Sequence, residues 1–112
     1  MVRVEVYRGP GGAIEGFRAR GHAGFDVSGR DIVCAAASAV VQTAVLGLDR
    51  YVGPGLGVER EPGRLDCRLP EGGAADPAVQ GILETMVLGL KAIERQYPDH
   101  LRVRVVRVDG RR

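Results

Sequence analysis

Asp31–Arg50, DIVCAAASAVVQTAVLGLDR, is the stretch that decides the fold. It is predicted to be a helix, because Asp31 is a preferred N-cap whose carboxylate accepts amide hydrogens of the first turn. From Ile32 to Leu48 it has no charged side chain, so it is apolar nearly all round. Such a helix needs cover on more than one face: a sheet on one side, and a second helix or a partner chain on the other. The uncharged run is shorter than the roughly 20 apolar residues of a membrane span, so no membrane partner is expected.

The segments around this helix predict a sheet. Val2–Arg8 has valine at every second position, the period of a half-buried strand, and Ala13–Arg20 is predicted to return as its hairpin partner. A second pair of short strands fits Leu56–Glu61 and Arg64–Leu69, and Leu101–Val108 is predicted as the last strand.

A second helix is predicted to start at Asp76–Pro77, an N-cap followed by proline at the first helical position. Apolar residues then recur at intervals of three and four up to about Gln96, in the order Val79, Leu83, Met86, Leu90, Ile93 and Tyr97. The order ββαββαβ indicates an α+β fold, a two-layer domain with a five-stranded sheet and two helices packed on one face. We expect a single domain over residues 1–112, with residues 109–112 as a frayed tail.

Composition narrows the class of protein. A net charge of +2 in 112 residues is too small to indicate nucleic-acid binding by itself. Two cysteines do not make a disulfide framework, and Met1–Tyr7 alternates charge and valine where a signal peptide would need an apolar run. A reducing, cytoplasmic setting is therefore expected, in which a thiol is free to react.

Cys34 is the first candidate for chemistry. With Asp31 as N-cap it lies at the third helical position, where the partial positive charge of the helix N-terminus stabilises a thiolate. A nucleophile needs that placement, because only the thiolate attacks. The alternative is a small buried hydrophobic residue among alanines, since free cysteine is among the most buried residue types.

His22 is the second candidate, at the start of the glycine-containing loop Gly21–Arg30. Its imidazole could take the proton of Cys34, as in minimal Cys–His pairs, or it could be a solvated loop histidine. Asp31 would either cap the helix or orient the imidazole, because one carboxylate cannot easily do both. The negative charge of Asp31 near Cys34 would also oppose thiolate formation, so the cap is favoured. Ser38 lies one turn beyond Cys34 and either lines the site or only packs the helix.

The remaining features of the site follow from the same region. Oxyanion donors are expected from backbone amides, at Cys34 itself and nearby in the loop. Residues 24–29 could act as a lid or form a static turn.

Other residues carry weaker signals. Cys67 is expected in the core of a strand, and His100 exposed at the start of the last strand. A zinc site built from His22, Cys34, Cys67 and His100 lacks the close ligand spacing that such sites use. The C-terminal basic residues form either a solvated strand face or a contact with rRNA: Arg102, Arg104, Arg107, Arg111 and Arg112.

One motif has three consecutive parts: GHA at Gly21–Ala23, a short glycine-containing loop, and G-x-DIVCAA-x-S at Gly29–Ser38. This motif resembles the signature of the ribosomal-processing cysteine protease family, Prp. Chain length and element order resemble that family as well, so the likeness covers nearly the whole chain. The loop GFDVSG and the arginine-rich tail depart from the family pattern, and neither includes the histidine or the cysteine of the motif.

The resemblance implies a homodimeric protease with a Cys–His dyad and no metal or other cofactor. By motif position His22 would be the general base and Cys34 the nucleophile, with Asp31, Ser38, Gly21 and Gly29 as supporting or substrate-contacting residues. It further implies cleavage, after a pair of phenylalanines, of the N-terminal extension of a bacterial large-subunit ribosomal protein. Two other hypotheses stay open: a non-catalytic ribosome- or rRNA-associated module, and a structural dimerisation domain with an inert thiol.

Overall fold

The computed structural model of the chain describes residues 1–21 and 30–109, apart from the side chains of residues 30 and 31. Its elements follow the order ββαββαβ, with one short 3₁₀ turn at Gly73–Ala75, so the predicted α+β order is confirmed. The strands and helices are β1 Val2–Arg8, β2 Ile14–Arg20, α1 Arg30–Val52, β3 Gly57–Glu61, β4 Arg64–Arg68, α2 Pro77–Gln96 and β5 Leu101–Arg107.

The five strands form one mixed sheet in the order β3-β4-β2-β1-β5. Only the pair β1 and β5 is parallel; the other neighbours are antiparallel. By this pairing β2 runs in the same direction as β3, and β4 in the same direction as β5. Two strands with the same direction need a crossover rather than a tight turn, and α1 and α2 are those two crossovers.

The sheet has one apolar face and one polar face. On the apolar face Val4 lies between Ala19 and Val103 in neighbouring strands, and all three are buried. The opposite face carries residues such as Glu5 and Arg18, which are paired in the same register. Both helices therefore pack on the apolar face, as predicted.

The core lies between that face and the two helices. Helix α1 contributes six buried residues: Val33, Ala37, Val41, Ala44, Val45 and Leu48. Helix α2 contributes Val79, Leu83, Met86, Val87 and Leu90. Burying a leucine of this kind stabilises a fold by about 1.5–3 kcal/mol, and Leu48 and Leu83 are both fully buried.

The second helix begins as the sequence predicts. The Asp76 carboxylate accepts a hydrogen bond of 2.9 Å from the amide of Ala78, with Pro77 as the first helical residue. Of the predicted apolar stripe, Ile93 is half-buried and Tyr97 is 41% exposed. The prediction is wrong for Tyr97 because the helix has already ended at Gln96.

Helix α1 is long and apolar enough over Ile32–Val52 to cross a membrane by length and composition, a test that core helices of soluble proteins also pass. A third of its most apolar window is buried inside the domain. The exposed remainder includes Ile32 and Leu46, at 67% and 72% exposure. Helix α1 therefore has one side buried in the domain and a second apolar side that is exposed, as expected for a helix that needs cover on more than one face.

Candidate active site

Cys34 lies near the start of α1 and is half-buried against the hydrophobic core. Its neighbours Val33 and Ala37 are fully buried, and they fix this end of the helix on the sheet. Ser38, one turn further along, is half-buried too. Residues four apart share a helix face, so the thiol and the hydroxyl lie on the same side of α1.

The start of α1 differs from the predicted one. The helix begins at Arg30, so Asp31 is its second residue and not the residue that caps it, and Cys34 is the fifth. A carboxylate in the first turn still interacts favourably with the helix dipole. The unpaired amides of a helix are its first four, which here extend to Ile32. Backbone donors to an oxyanion are therefore expected before Cys34, in place of its own amide.

The topology brings the end of β2 to the end of the sheet where α1 starts. Residues 53–56 lead from α1 into β3, which runs in the same direction as β2. The C-terminal end of α1 thus lies where β2 begins, and its N-terminal end lies where β2 ends. Gly21, which precedes His22 in the sequence, is consequently at the same end of the molecule as Cys34.

Gly21 fixes how the chain leaves β2. Its φ of +96° lies in the left-handed region, and a Cβ at this position would collide with the carbonyl oxygen of Met1. Its amide also donates a 3.1 Å hydrogen bond to the carbonyl of Gly63. Glycine is the residue type that adopts this backbone conformation at low cost. The residue therefore sets the starting direction of the segment that carries His22.

Gly21→Ala is expected to destabilise the fold by about 1–3 kcal/mol, because alanine adds both a positive-φ penalty and the collision with Met1. The measurement is the urea midpoint of unfolding. Gly11→Ala is the matched control, since open space surrounds that position and its φ is not positive. Equal midpoints for the two variants would contradict the role given to Gly21.

The second cysteine is placed very differently. Cys67 lies on the apolar face of β4 and is only 3% exposed. Burial raises the pKa of its thiol to about 11. The thiol therefore stays protonated at neutral pH, and the low exposure of Cys67 confirms it as a core residue. The accessible sulfur of the two is Cys34.

Several predicted site residues lie outside the described part of the chain. They are His22, Gly29 and the loop at 24–29, and the side chain of Asp31. His100 is described: it is half-buried rather than exposed, and its backbone carbonyl accepts a hydrogen bond of 2.9 Å from the amide of Val2. Within residues 1–21 and 30–109, no group of three or more His, Cys, Asp and Glu residues could hold a metal ion.

An apolar groove of about 900 Å³ runs between α1 and α2 on the side away from the sheet. Its lining includes Val40, Thr43 and Tyr51 of α1 and Ile82 and Thr85 of α2. Sequence reasoning did not identify it. The sequence does contain a signal for this groove. Gly47, Gly81 and Gly89 line it and have no side chains to fill it.

The arrangement is suited to nucleophilic chemistry. A half-buried thiol just after the first turn of a helix is held by the buried residues around it, and a positively charged base beside it would favour its anionic form. A base is expected from the segment that follows Gly21.

Comparisons with known proteins agree with that chemistry. The family described as cysteine protease Prp matches residues 1–102. The ribosomal processing cysteine protease Prp of Bacillus subtilis is 35% identical over 109 residues, covering 92% of this chain and 96% of that protein. Two crystal structures of the Staphylococcus aureus ribosomal processing protease Prp also match. The one with a substrate peptide has a TM-score of 0.84 at 26% identity, and the one with a covalently linked product peptide has 0.82 at 27%; each covers 95% of this chain and 100% of the other.

Proposed function

This chain belongs to the cysteine protease family Prp, and from that premise we propose that Cys34 is its nucleophile and His22 its general base. The observation that carries the proposal is the contrast between the two cysteines. Cys34 is half-buried near the N-terminus of α1, at the same end of the sheet as Gly21. Cys67 is enclosed in the core.

The reaction proceeds by acyl transfer. The Cys34 thiolate attacks the carbonyl carbon of the scissile peptide bond and forms a C–S bond, with the oxyanion held by backbone amides at the start of α1. Protonated His22 gives its proton to the leaving amine as the C–N bond breaks. His22 then takes a proton from water, whose oxygen attacks the thioester and releases the carboxylic acid and the Cys34 thiolate.

Asp31 and Ser38 support this step from the same helix. The half-buried Ser38 hydroxyl shares the face of Cys34 and can contact bound peptide. Asp31 in the first turn stabilises the start of the helix through the dipole. No metal or other cofactor has a part in the reaction.

The proposed substrate is the N-terminal segment of a large-subunit ribosomal protein, cut after aromatic residues. Support comes from the Staphylococcus aureus relative, which has been crystallised with a substrate peptide. The reaction is placed in the cytoplasm, where a nucleophilic thiol stays reduced. Incubation with the host's own ribosomal protein, followed by intact-mass measurement, tests the proposal through the loss of a defined N-terminal fragment.

The proposed assembly is a homodimer that covers the exposed side of α1. That side forms a stripe of uncharged residues, which are Ile32, Ala35, Ala39, Thr43 and Leu46. It borders the groove between α1 and α2. Contiguous exposed apolar side chains of this kind mark interaction surfaces, and Ile32 and Leu46 are 67% and 72% exposed.

Leu46→Glu is expected to convert the dimer to a monomer of 11.9 kDa, because a carboxylate would be buried without a partner in the interface. Light scattering after size exclusion measures the mass. Gln96→Glu is the control, since it adds the same charge at an exposed position at the end of α2. A wild-type protein that is monomeric at micromolar concentration would contradict the proposed assembly.

A further inference from the structure

Four arginines lie side by side on the polar face of the sheet. Strand pairing sets Arg64 opposite Arg20, Arg20 opposite Arg3, and Arg3 opposite Arg102, in the order β4-β2-β1-β5. Neighbouring strands are about 4.8 Å apart, so these backbone positions cover about 14 Å. We call this set the arginine row.

Such a row is unfavourable for the sheet itself. Like charges directly opposite each other on neighbouring strands destabilise the pairing. The adjacent row on the same face, Asp66, Arg18, Glu5 and Arg104, alternates in sign along the same four strands. Arg18 there forms an ion pair with Asp66 at 2.5 Å. Favourable cross-strand pairing therefore does not account for the arginine row.

Three members of the row are open to solvent: Arg3, Arg20 and Arg102. Arg20 approaches Glu5 at 3.4 Å, and Arg102 approaches Glu94 at 3.9 Å. Among the described residues Arg3 has no carboxylate partner, whereas Arg64 is held by Glu61 at 3.0 Å. Among the residues that the structure describes, the charge of these three guanidinium groups is only partly compensated.

The rest of this face indicates what kind of partner fits. Its half formed by β2, β1 and β5 carries five arginines and one glutamate. Among the residues of these three strands, the large apolar or aromatic side chains on this face are Tyr7 and Val106. Protein–protein interfaces concentrate aromatic residues together with arginine, whereas nucleic-acid interfaces are polar and strongly positive. A face rich in arginine and poor in aromatic side chains fits the second kind.

We propose that the arginine row binds the phosphate backbone of a nucleic-acid duplex. The planar guanidinium group matches phosphate oxygens with two parallel hydrogen bonds. Sheet surfaces that bind single strands stack bases on aromatic side chains, and this face lacks a set of them. The contact is therefore made with the backbone and is independent of base sequence.

The position of the row links it to the rest of the molecule. Arg20 is the last residue of β2, and Arg3 and Arg102 are near the starts of their strands. The row thus lies at the end of the sheet where α1 begins, on the face opposite the helices. A duplex bound there leaves both the start of α1 and the groove between the helices uncovered. This binding goes beyond the proposed protease reaction and does not depend on it.

The test is binding of a fluorescent RNA hairpin, measured by anisotropy between about 20 and 150 mM NaCl. The double variant Arg3→Gln/Arg102→Gln is expected to lose at least tenfold in affinity at the lowest salt concentration. The slope of log K against log salt should fall in magnitude by about 2 in this double variant, because each of the two lost phosphate contacts contributes about 0.9. A DNA hairpin of the same sequence, run in parallel, shows which duplex is preferred, and binding of either supports the proposal.

Arg50→Gln/Arg95→Gln is the matched control, since it removes two exposed arginines from the ends of the helices. An equal loss of affinity in this control would overturn the proposal, as would the absence of binding by the wild type at 20 mM salt. Polyglutamate that competes as strongly as RNA would overturn the proposal in favour of an acidic protein as the partner.

The melting temperature of Arg3→Gln should be unchanged or higher. A fall of several degrees would show that the row stabilises the sheet, and would contradict the argument from which the proposal starts. Cleavage of a peptide substrate should be unaffected in Arg3→Gln/Arg102→Gln.

Discussion

Cys34→Ala is expected to lower kcat/KM for an N-terminal ribosomal-protein peptide by at least about 10,000-fold, because loss of the proposed nucleophile removes the covalent route altogether. The fold should persist, since Cys34 is only half-buried and alanine is a strong helix former among neighbouring alanines. The measurement is cleavage by intact mass, together with a melting curve of the same sample.

Cys67→Ala provides the matched control for that variant. It removes the other sulfur, one that burial keeps protonated through a thiol pKa of about 11. It should melt at a lower temperature, because it leaves a small cavity in the core, but it should still cleave the peptide. Full activity in Cys34→Ala, or loss of activity in Cys67→Ala with the fold intact, would contradict the assignment of the nucleophile.

His22→Gln is expected to lower kcat/KM by about 100- to 10,000-fold, the usual contribution of a positioned general acid–base group. Glutamine can still form hydrogen bonds, but it cannot take up and return the proton. A second readout follows from the same chemistry. The alkylation rate of Cys34 should reach its plateau at a higher pH in the variant, because no imidazolium is left to stabilise the thiolate.

The other histidine of the chain is the control. His100→Gln should leave both the cleavage rate and the alkylation profile unchanged, because the contact that His100 makes with Val2 uses its backbone carbonyl. An unchanged alkylation profile in His22→Gln would show that the helix N-terminus alone activates the thiol. The pairing of His22 with Cys34 would then be wrong.

Local signals in the sequence were sufficient to predict most of the secondary structure. The valine alternation of β1 predicted Val2–Arg8 as it is found, and Asp76–Pro77 gave the start of α2. Both signals depend on neighbouring residues alone. The start of α1 was harder to predict, because Arg30 and Asp31 are both acceptable in a first turn, and the helix begins two residues earlier than the Asp31 cap predicts.

The pairing of strands that are distant in the sequence could not be predicted in the same way. No local pattern gives the strand order or shows that Arg3 lies between Arg20 and Arg102. The two cysteines illustrate the same limit. Cys34 stands in an apolar run and Cys67 between two charged residues, Asp66 and Arg68, yet Cys67 is the buried one, because burial arises from the elements that pack around each residue. The candidate nucleophile could be placed from the sequence by its helix position, whereas the arginine row required the register of the sheet.

The most direct test of the central claim is to trap the acyl-enzyme. Wild-type protein is mixed with excess substrate peptide, quenched in acid within the first turnover, digested with pepsin at low pH to preserve the thioester, and mapped by mass spectrometry. The prediction is that the fragment containing Cys34 carries the added mass of the N-terminal part of the peptide. Acylation at Cys67, or rapid cleavage by Cys34→Ala, would contradict it.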